Sequence, residues 1–316
     1  MKNHHLDIIR ATEAAAISAA EWVGRGNKEL ADKAATDAMR SRLNDIDFRA
    51  QIAIGEGIKD GSFGLFEGDL VGAAYGDCPS DAEYDIAVDP IEGTTPTAKG
   101  GYEAMAVLAM GNVGSLYKTD VFYMDKIAVG PKVAAKAQID LKNPASANVG
   151  MVAAALGKSP EHVTVCVLDR ERTKPLVGEL RKIGCRIKFI SDCDVTACIA
   201  TCVPDSGIDM YWSIGGAPEA VIAASAMKCM GGFLQCREVE ESVQKCGDFQ
   251  GILTHASDSM HINDLAEGEV MFAATGITDG KFLKGVRFTS NGPVTSSVSM
   301  RSESGTVRWL TTEHGN

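Results

Sequence analysis

Nowhere does this 316-residue chain approach the ~18 consecutive apolar residues that a membrane span requires. Its longest apolar runs, such as Met151–Leu156 and Ala220–Met227, are broken within a few residues by Gly, Lys, Ser or Pro. The N-terminus, Met1-Lys2-Asn3-His4-His5, leads into an amphipathic helical pattern and not into the apolar core of a signal peptide. No Lys/Arg cluster exceeds a couple of residues, and the net charge is −11. Neither a membrane nor a nucleic acid is therefore an expected partner, since nucleic-acid affinity rests on a basic surface. A phosphorylated small molecule stays open, because divalent metals held by carboxylates supply positive charge.

Several catalytic signatures are missing as well. There is no His-Glu-x-x-His, no Gly-x-Ser-x-Gly and no Gly-x-Gly-x-x-Gly, which removes the main support for a zinc peptidase, a serine hydrolase or a nicotinamide dehydrogenase. Gly157-Lys158-Ser159 resembles the end of a P-loop, but Val152 occupies the position of the required first glycine. The nine cysteines form no Cys-x-x-Cys pair and mostly sit in apolar stretches. Core thiols in a reducing cytoplasm are expected. Cys198 and Cys202 lie one helical turn apart without the further ligands a zinc site needs.

What is present is periodicity. Helices are expected from Leu6 to about Val23 and from about Lys28 to Leu43, followed by strands at Ala50–Ile54, Tyr84–Val88, Ala104–Met110 and Val121–Val129. Strand–helix alternation then runs through a helix at Val149–Leu156, a strand at Val163–Leu168 and a helix at Lys174–Ile183. A strand at Arg186–Ile190, a helix at Val195–Cys202, a strand at Ile208–Ile214 and a helix at Pro218–Met230 continue it, a doubly wound pattern. Short β-rich runs occupy Val270–Leu310. The expected fold is α/β, with two α/β regions, 1–145 and 146–316, sharing a cleft.

The sharpest motif is Tyr84-Asp85-Ile86-Ala87-Val88-Asp89-Pro90-Ile91-Glu92-Gly93-Thr94-Thr95. Pro90 is expected to end the strand and leave Asp89 at its C-terminal edge. Glu92 follows closely enough for both carboxylates to bind divalent cations. Gly93-Thr94-Thr95 offers backbone N–H groups and hydroxyls to a phosphate. Upstream, Gly55-Glu56-Gly57 frames another carboxylate after a strand. Asp32 and Lys28, one turn apart on a helix, read by themselves as a surface ion pair. Asp192-Cys193-Asp194-Val195-Thr196 after a strand is a rival. It is how aspartyl-phosphate phosphatases of the haloacid dehalogenase class begin, with Asp192 as nucleophile and Asp205 and Asp209 as the nearest acidic pair.

Taken together, these motifs resemble the lithium-sensitive, metal-dependent sugar phosphatases, and the wider frame is similar to class II fructose-1,6-bisphosphatase. The blocks that carry the resemblance begin with Trp22-Val23-Gly24-Arg25-Gly26-Asn27-Lys28, Ile54-Gly55-Glu56-Gly57 and Asp85 to Thr94. Tyr123-Met124-Asp125-Lys126, Asp192-Cys193-Asp194-Val195, Ile214-Gly215-Gly216-Ala217-Pro218-Glu219 and Ala274-Thr275-Gly276-Ile277-Thr278 follow in order. The family implies a layered α-β-α-β-α fold with metal and phosphate loop in the N-terminal region, and sugar and distal-phosphate contacts in the C-terminal one.

It implies two or more Mn²⁺ or Mg²⁺ ions on Asp32, Glu56, Asp89, Glu92 and Glu219. Asp60 and Thr94 would orient or deprotonate the attacking water, with Lys28 also catalytic. Substrate contacts are implied at Glu92, Gly93, Thr94, Tyr123, Arg170, Arg172, Asp192, Asp194 and Gly216, the arginines binding the distal phosphate. The reaction implied is hydrolysis of the 1-phosphate of fructose 1,6-bisphosphate by a cytoplasmic homodimer or homotetramer. Sedoheptulose 1,7-bisphosphate is the alternative substrate, and a non-catalytic sugar-phosphate sensor the alternative of a different class. An inositol-monophosphatase-like specificity would leave the distal arginines idle.

The sequence departs from the family pattern in places. Cys193 replaces the usual glycine between the two aspartates, which is expected to crowd or redox-sensitise the sugar site. Arg170 stands where lysine is common, Ile58-Lys59 where an acidic residue is common, and Ala220 where glycine often follows the glutamate. Thr95-Pro96 is unusual, and the segment between Gly232 and Val270 is shorter than typical.

Overall fold

The computed structural model describes residues 4–55, 64–73, 82–119, 121–239 and 258–315. The chain divides into two compact units, residues 1–118 with 266–316, and residues 119–265. The single cut near residue 145 that strand–helix alternation suggests falls inside the second unit. The C-terminal strands return to the first sheet, a pairing that local periodicity does not encode.

In the first unit, α1 (His5–Ala20) and α2 (Lys28–Asn44) pack on each other and on a sheet. Small residues set their approach: Ala11, Ala15, Ala16 and Ala19 of α1 are buried, and α2 buries Ala31, Ala35, Met39 and Leu43, an i, i+4 stripe. The Asn27 side chain caps α2 by accepting from Leu30 N–H at 3.0 Å. α1 ends before Trp22 and Val23, which still pack on the core from the Gly24-Arg25-Gly26 turn.

The sheet contains β1 (Ala50–Ile54), β2 (Leu70–Val71), β3 (Tyr84–Glu92), β4 (Met105–Asn112) and four C-terminal strands. β1 and β3 are parallel; β3, β4 and the later β11 (Val270–Gly276) run antiparallel in succession. A six-residue helix, α3 (Thr94–Lys99), follows β3 directly and packs on α2.

The second unit is built on a mixed sheet. It contains β5 (Tyr123–Val129), β6 (Thr164–Leu168), β7 (Arg186–Ile190), β8 (Met210–Gly216), β9 (Phe233–Glu238) and β10 (Met260–His261), in the order β10-β9-β5-β8-β6-β7. Only β7, β6 and β8 pair in parallel, with β5 antiparallel between β8 and β9. The doubly wound pattern thus holds for the parallel core alone. The helices of this unit include α4 (Pro131–Ala134), α5 (Ala145–Leu156), α6 (Lys174–Ile183), α7 (Asp194–Ala200) and α8 (Ala217–Met230), with one further turn at Ile262–Leu265. α5 starts at Ala145, four residues before the expected Val149, with Pro144 as the extended N-cap residue before it.

The remaining strands β11 (Val270–Gly276), β12 (Arg287–Thr289), β13 (Gly292–Arg301) and β14 (Thr306–Glu313) complete the first sheet. The fold is mixed α/β with two multi-stranded sheets, as the sequence suggests.

Candidate metal and sugar-phosphate site

Pro90 does not end β3. The strand runs on to Glu92, and the ladder to β4 slips: Asp89 pairs with Val107 and Glu92 with Met105. Two residues, Pro90 and Ile91, therefore oppose Ala106 alone, a β-bulge that accommodates a residue without a backbone N–H. The bulge has a chemical result. On a regular strand, residues three apart point to opposite faces; with one residue inserted, Asp89 and Glu92 oppose partners two apart and share a face. Carboxylate oxygens of the two come within 4.8 Å of each other. Glu92 is buried and Asp89 half-buried, and Asp89 Oδ1 accepts from Ile91 N–H at 2.9 Å.

Gly93, at φ 103°, turns the chain from the strand into α3, a conformation that a Cβ would strain. The Thr94 hydroxyl donates to Ile91 O at 3.3 Å, and Thr97 donates to Gly93 O at 2.9 Å. Lys28 does not pair with Asp32 as the helical spacing suggests; its Nζ donates to Thr95 Oγ1 at 2.7 Å, joining α2 to α3. Asp32 is half-buried on α2, and desolvation raises its pKa to about 6.

β1 lies parallel to β3, Ile54 beside Ala87, so it points to the same end of the sheet as Asp89. Gly55 follows it where any Cβ would stand 1.8 Å from Leu65 O. Glu56 and Asp60 lie outside the described residues, as do Ile58 and Lys59.

In the second unit, Tyr123 opens β5 and Arg172 precedes α6. The Arg172 guanidinium lies 4.3 Å from the Tyr123 ring centroid, and its Nε donates to Ile214 O at 2.8 Å. Burial lowers its pKa, yet a guanidinium stays charged at neutral pH. Arg172 also lines a cavity of about 410 Å³ with Asp125, Asn143, Glu179 and Trp212. Arg170 pairs with Asp192 at 3.0 Å.

Asp194 is paired instead with Lys126 of β5, which also donates to Gly216 O at 2.8 Å. Cys193 separates the two aspartates at φ +71°, buried, so each carboxylate meets a different cation. Glycine adopts this backbone without strain. Glu219 stands in the first turn of α8, three residues after Gly216, where a Cβ would fall 1.8 Å from its carboxylate.

Lys126, which closes the block Tyr123-Met124-Asp125-Lys126, is fully buried in β5. Its burial shows only once β5 sits between β8 and β9. Burial opposes its charge, but the Asp194 and Glu219 carboxylates outweigh that and raise its pKa.

Other motifs resolve into structure. Gly157 is the left-handed cap of α5, and Lys158 pairs with Asp209 at 2.5 Å, so neither forms a phosphate cradle. Cys198 is packed in α7 and Cys202 just after it, where burial pushes the Cys202 thiol up to about 11 and Cys198 well above its usual value. No helix of the described residues is long and apolar enough to cross a membrane.

Comparison with known proteins agrees along the chain. Residues 2–314 match the family model described as bacterial fructose-1,6-bisphosphatase, glpX-encoded. A protein of Synechocystis sp. is 41% identical over 331 residues, covering 98% of this chain and 95% of the relative. One of Thermosynechococcus vestitus is 38% identical over 336 residues and one of Crocosphaera subtropica 40% over 331, each with the same two coverages. All three are named D-fructose 1,6-bisphosphatase class 2/sedoheptulose 1,7-bisphosphatase.

Proposed function

Because this chain belongs to the bacterial fructose-1,6-bisphosphatase family, we propose that it is a phosphoric monoester hydrolase. It cleaves the 1-phosphate of fructose 1,6-bisphosphate to give fructose 6-phosphate and phosphate. The observation that carries the reading is the bulged end of β3, which turns Asp89 and Glu92 to one face directly before Gly93 and Thr94. Family membership sets aside the aspartyl-phosphate reading of Asp192, one of whose oxygens is paired with Arg170. The double names of the relatives favour sedoheptulose 1,7-bisphosphate as a second substrate.

The donor set fits divalent cations. Asp32, Asp89 and Glu92 offer only hard oxygen atoms, which suit Mg²⁺ or Mn²⁺, and the buried Glu92 and desolvated Asp32 are carboxylates that a cation would stabilise. Glu56 and Glu219 join them on the strength of the resemblance. When bound, two such ions supply a water nucleophile at neutral pH and offset charge on the leaving oxygen.

The protein's own groups do the rest. Thr94 and Asp60 orient the water, with Thr94 held against Ile91 O, and Lys28 braces the phosphate loop through Thr95. Gly93 lets the backbone approach the phosphate. Arg172, fixed by Ile214 and Tyr123, and Arg170 bind the distal phosphate. Asp192, Asp194 and Gly216 hold sugar hydroxyls.

A homodimer or homotetramer in a reducing cytoplasm completes the proposal, supported by the resemblance and by the buried thiols. Phosphate release from the two bisphosphates with Mn²⁺, with Mg²⁺ and with chelator tests it. Glu92→Ala that retained metal-dependent turnover would sink the assignment.

A further inference from the structure

Lys126 is 1% exposed, and its ammonium donates to two groups from different elements, Asp194 Oδ2 at the start of α7 and Gly216 O at the end of β8. Tyr211 OH also donates to Asp194 Oδ2, at 3.4 Å. The arrangement is built around the pair. Gly215 passes so close that a Cβ would stand 1.9 Å from Asp194 Oδ2 and 3.0 Å from Lys126 Nζ. A buried ion pair is a poor source of stability, since well-packed apolar residues often do as well, but it fixes where its partners stand.

We propose that Lys126 is a positioning residue for sugar recognition. It takes one oxygen of Asp194 and so turns Oδ1 to a sugar hydroxyl, while its second bond fixes the Gly216 backbone beside it. The inference rests on the reading of Asp194 and Gly216 as sugar contacts given above.

The test is a double-mutant cycle on binding, which separates action through Asp194 from independent effects. Fructose 6-phosphate, which keeps the sugar hydroxyls and the distal phosphate and is not turned over, is titrated calorimetrically in Mn²⁺ buffer into wild type, Lys126→Met, Asp194→Asn and the double variant. Melting curves are recorded for each. Lys126→Met and Asp194→Asn should each weaken binding about tenfold. The double variant, which leaves no charge uncompensated, should fold and bind no more weakly than Asp194→Asn alone.

Wild-type affinity in Lys126→Met with only a lowered melting point overturns the inference, as do penalties that add in full. Should Lys126→Met fail to fold, the double variant against Asp194→Asn decides: equal affinity supports the inference and a further tenfold loss overturns it. A wild type that releases phosphate from fructose 1,6-bisphosphate with Mn²⁺ but binds no fructose 6-phosphate overturns this inference alone; one that releases none refutes the functional reading and this inference with it.

Discussion

Asp89 and Glu92 turn their carboxylates to the same face of β3 although three positions separate them, because Pro90 and Ile91 share one partner residue on β4. Their oxygens meet within 4.8 Å. If the pair holds the metal, removing either charge costs several kcal/mol of transition-state stabilisation, roughly a thousandfold in rate. Glu92→Gln should therefore lower kcat by about that factor, with an unchanged far-UV circular dichroism spectrum.

The stack of Arg172 on Tyr123 gives a different signature. Arg172→Ala should raise KM for fructose 1,6-bisphosphate at least about tenfold, the loss of a charge-assisted phosphate contact. Hydrolysis of an aryl monophosphate, which has no distal phosphate, should stay within about twofold of wild type, within the scatter of surface substitutions. Equal losses on both substrates would place Arg172 elsewhere in the mechanism.

The backbone at Cys193 makes a stability prediction. A left-handed conformation costs an ordinary residue ~1–2 kcal/mol and a β-branched one more. The native cysteine already carries that cost, so Cys193→Val should lower the unfolding free energy by the added β-branched part, about 1 kcal/mol in denaturant melts. Cys193→Gly should leave it nearly unchanged, because the relief of backbone strain offsets the lost buried thiol and the chain entropy of glycine. The structure relates this cysteine first to backbone geometry, with its side chain buried between two paired aspartates.

Asp125 sets a pH dependence. Burial raises its pKa to about 6, against the lowering effect of Arg237 and Trp212. Because the folded pKa exceeds the unfolded value of about 3.8, the folded protein binds more protons between those values. The contribution to stability is complete below pH ~4 and is lost as pH rises through about 6, about 3 kcal/mol for a shift of that size. The unfolding free energy of wild type relative to Asp125→Asn should fall over that window; a flat difference would contradict the assignment.

Much of this fold is legible in the sequence, for reasons that stay local. The Ala31, Ala35, Met39, Leu43 stripe announces α2, and the apolar run into Asp89 announces β3. What stays hidden depends on distant partners. Pro90 reads as a strand end because local rules do not show that β4 tolerates a bulge. The strands from Val270 onward give no sign that they return to β4. The burial of Lys126 depends on β8 and β9 flanking β5, and Asp192 and Asp194 read as one motif although they meet different cations. The metal and substrate roles rest on the resemblance of ordered blocks, since single carboxylates after a strand are common.

Metal-dependent phosphate release tests the central claim most directly. Fructose 1,6-bisphosphate and sedoheptulose 1,7-bisphosphate are assayed side by side with Mn²⁺, with Mg²⁺ and with chelator. Release from fructose 1,6-bisphosphate that a divalent cation supports and chelator abolishes is the result predicted here. Release that persists in chelator, or none from either sugar under any metal, would contradict it.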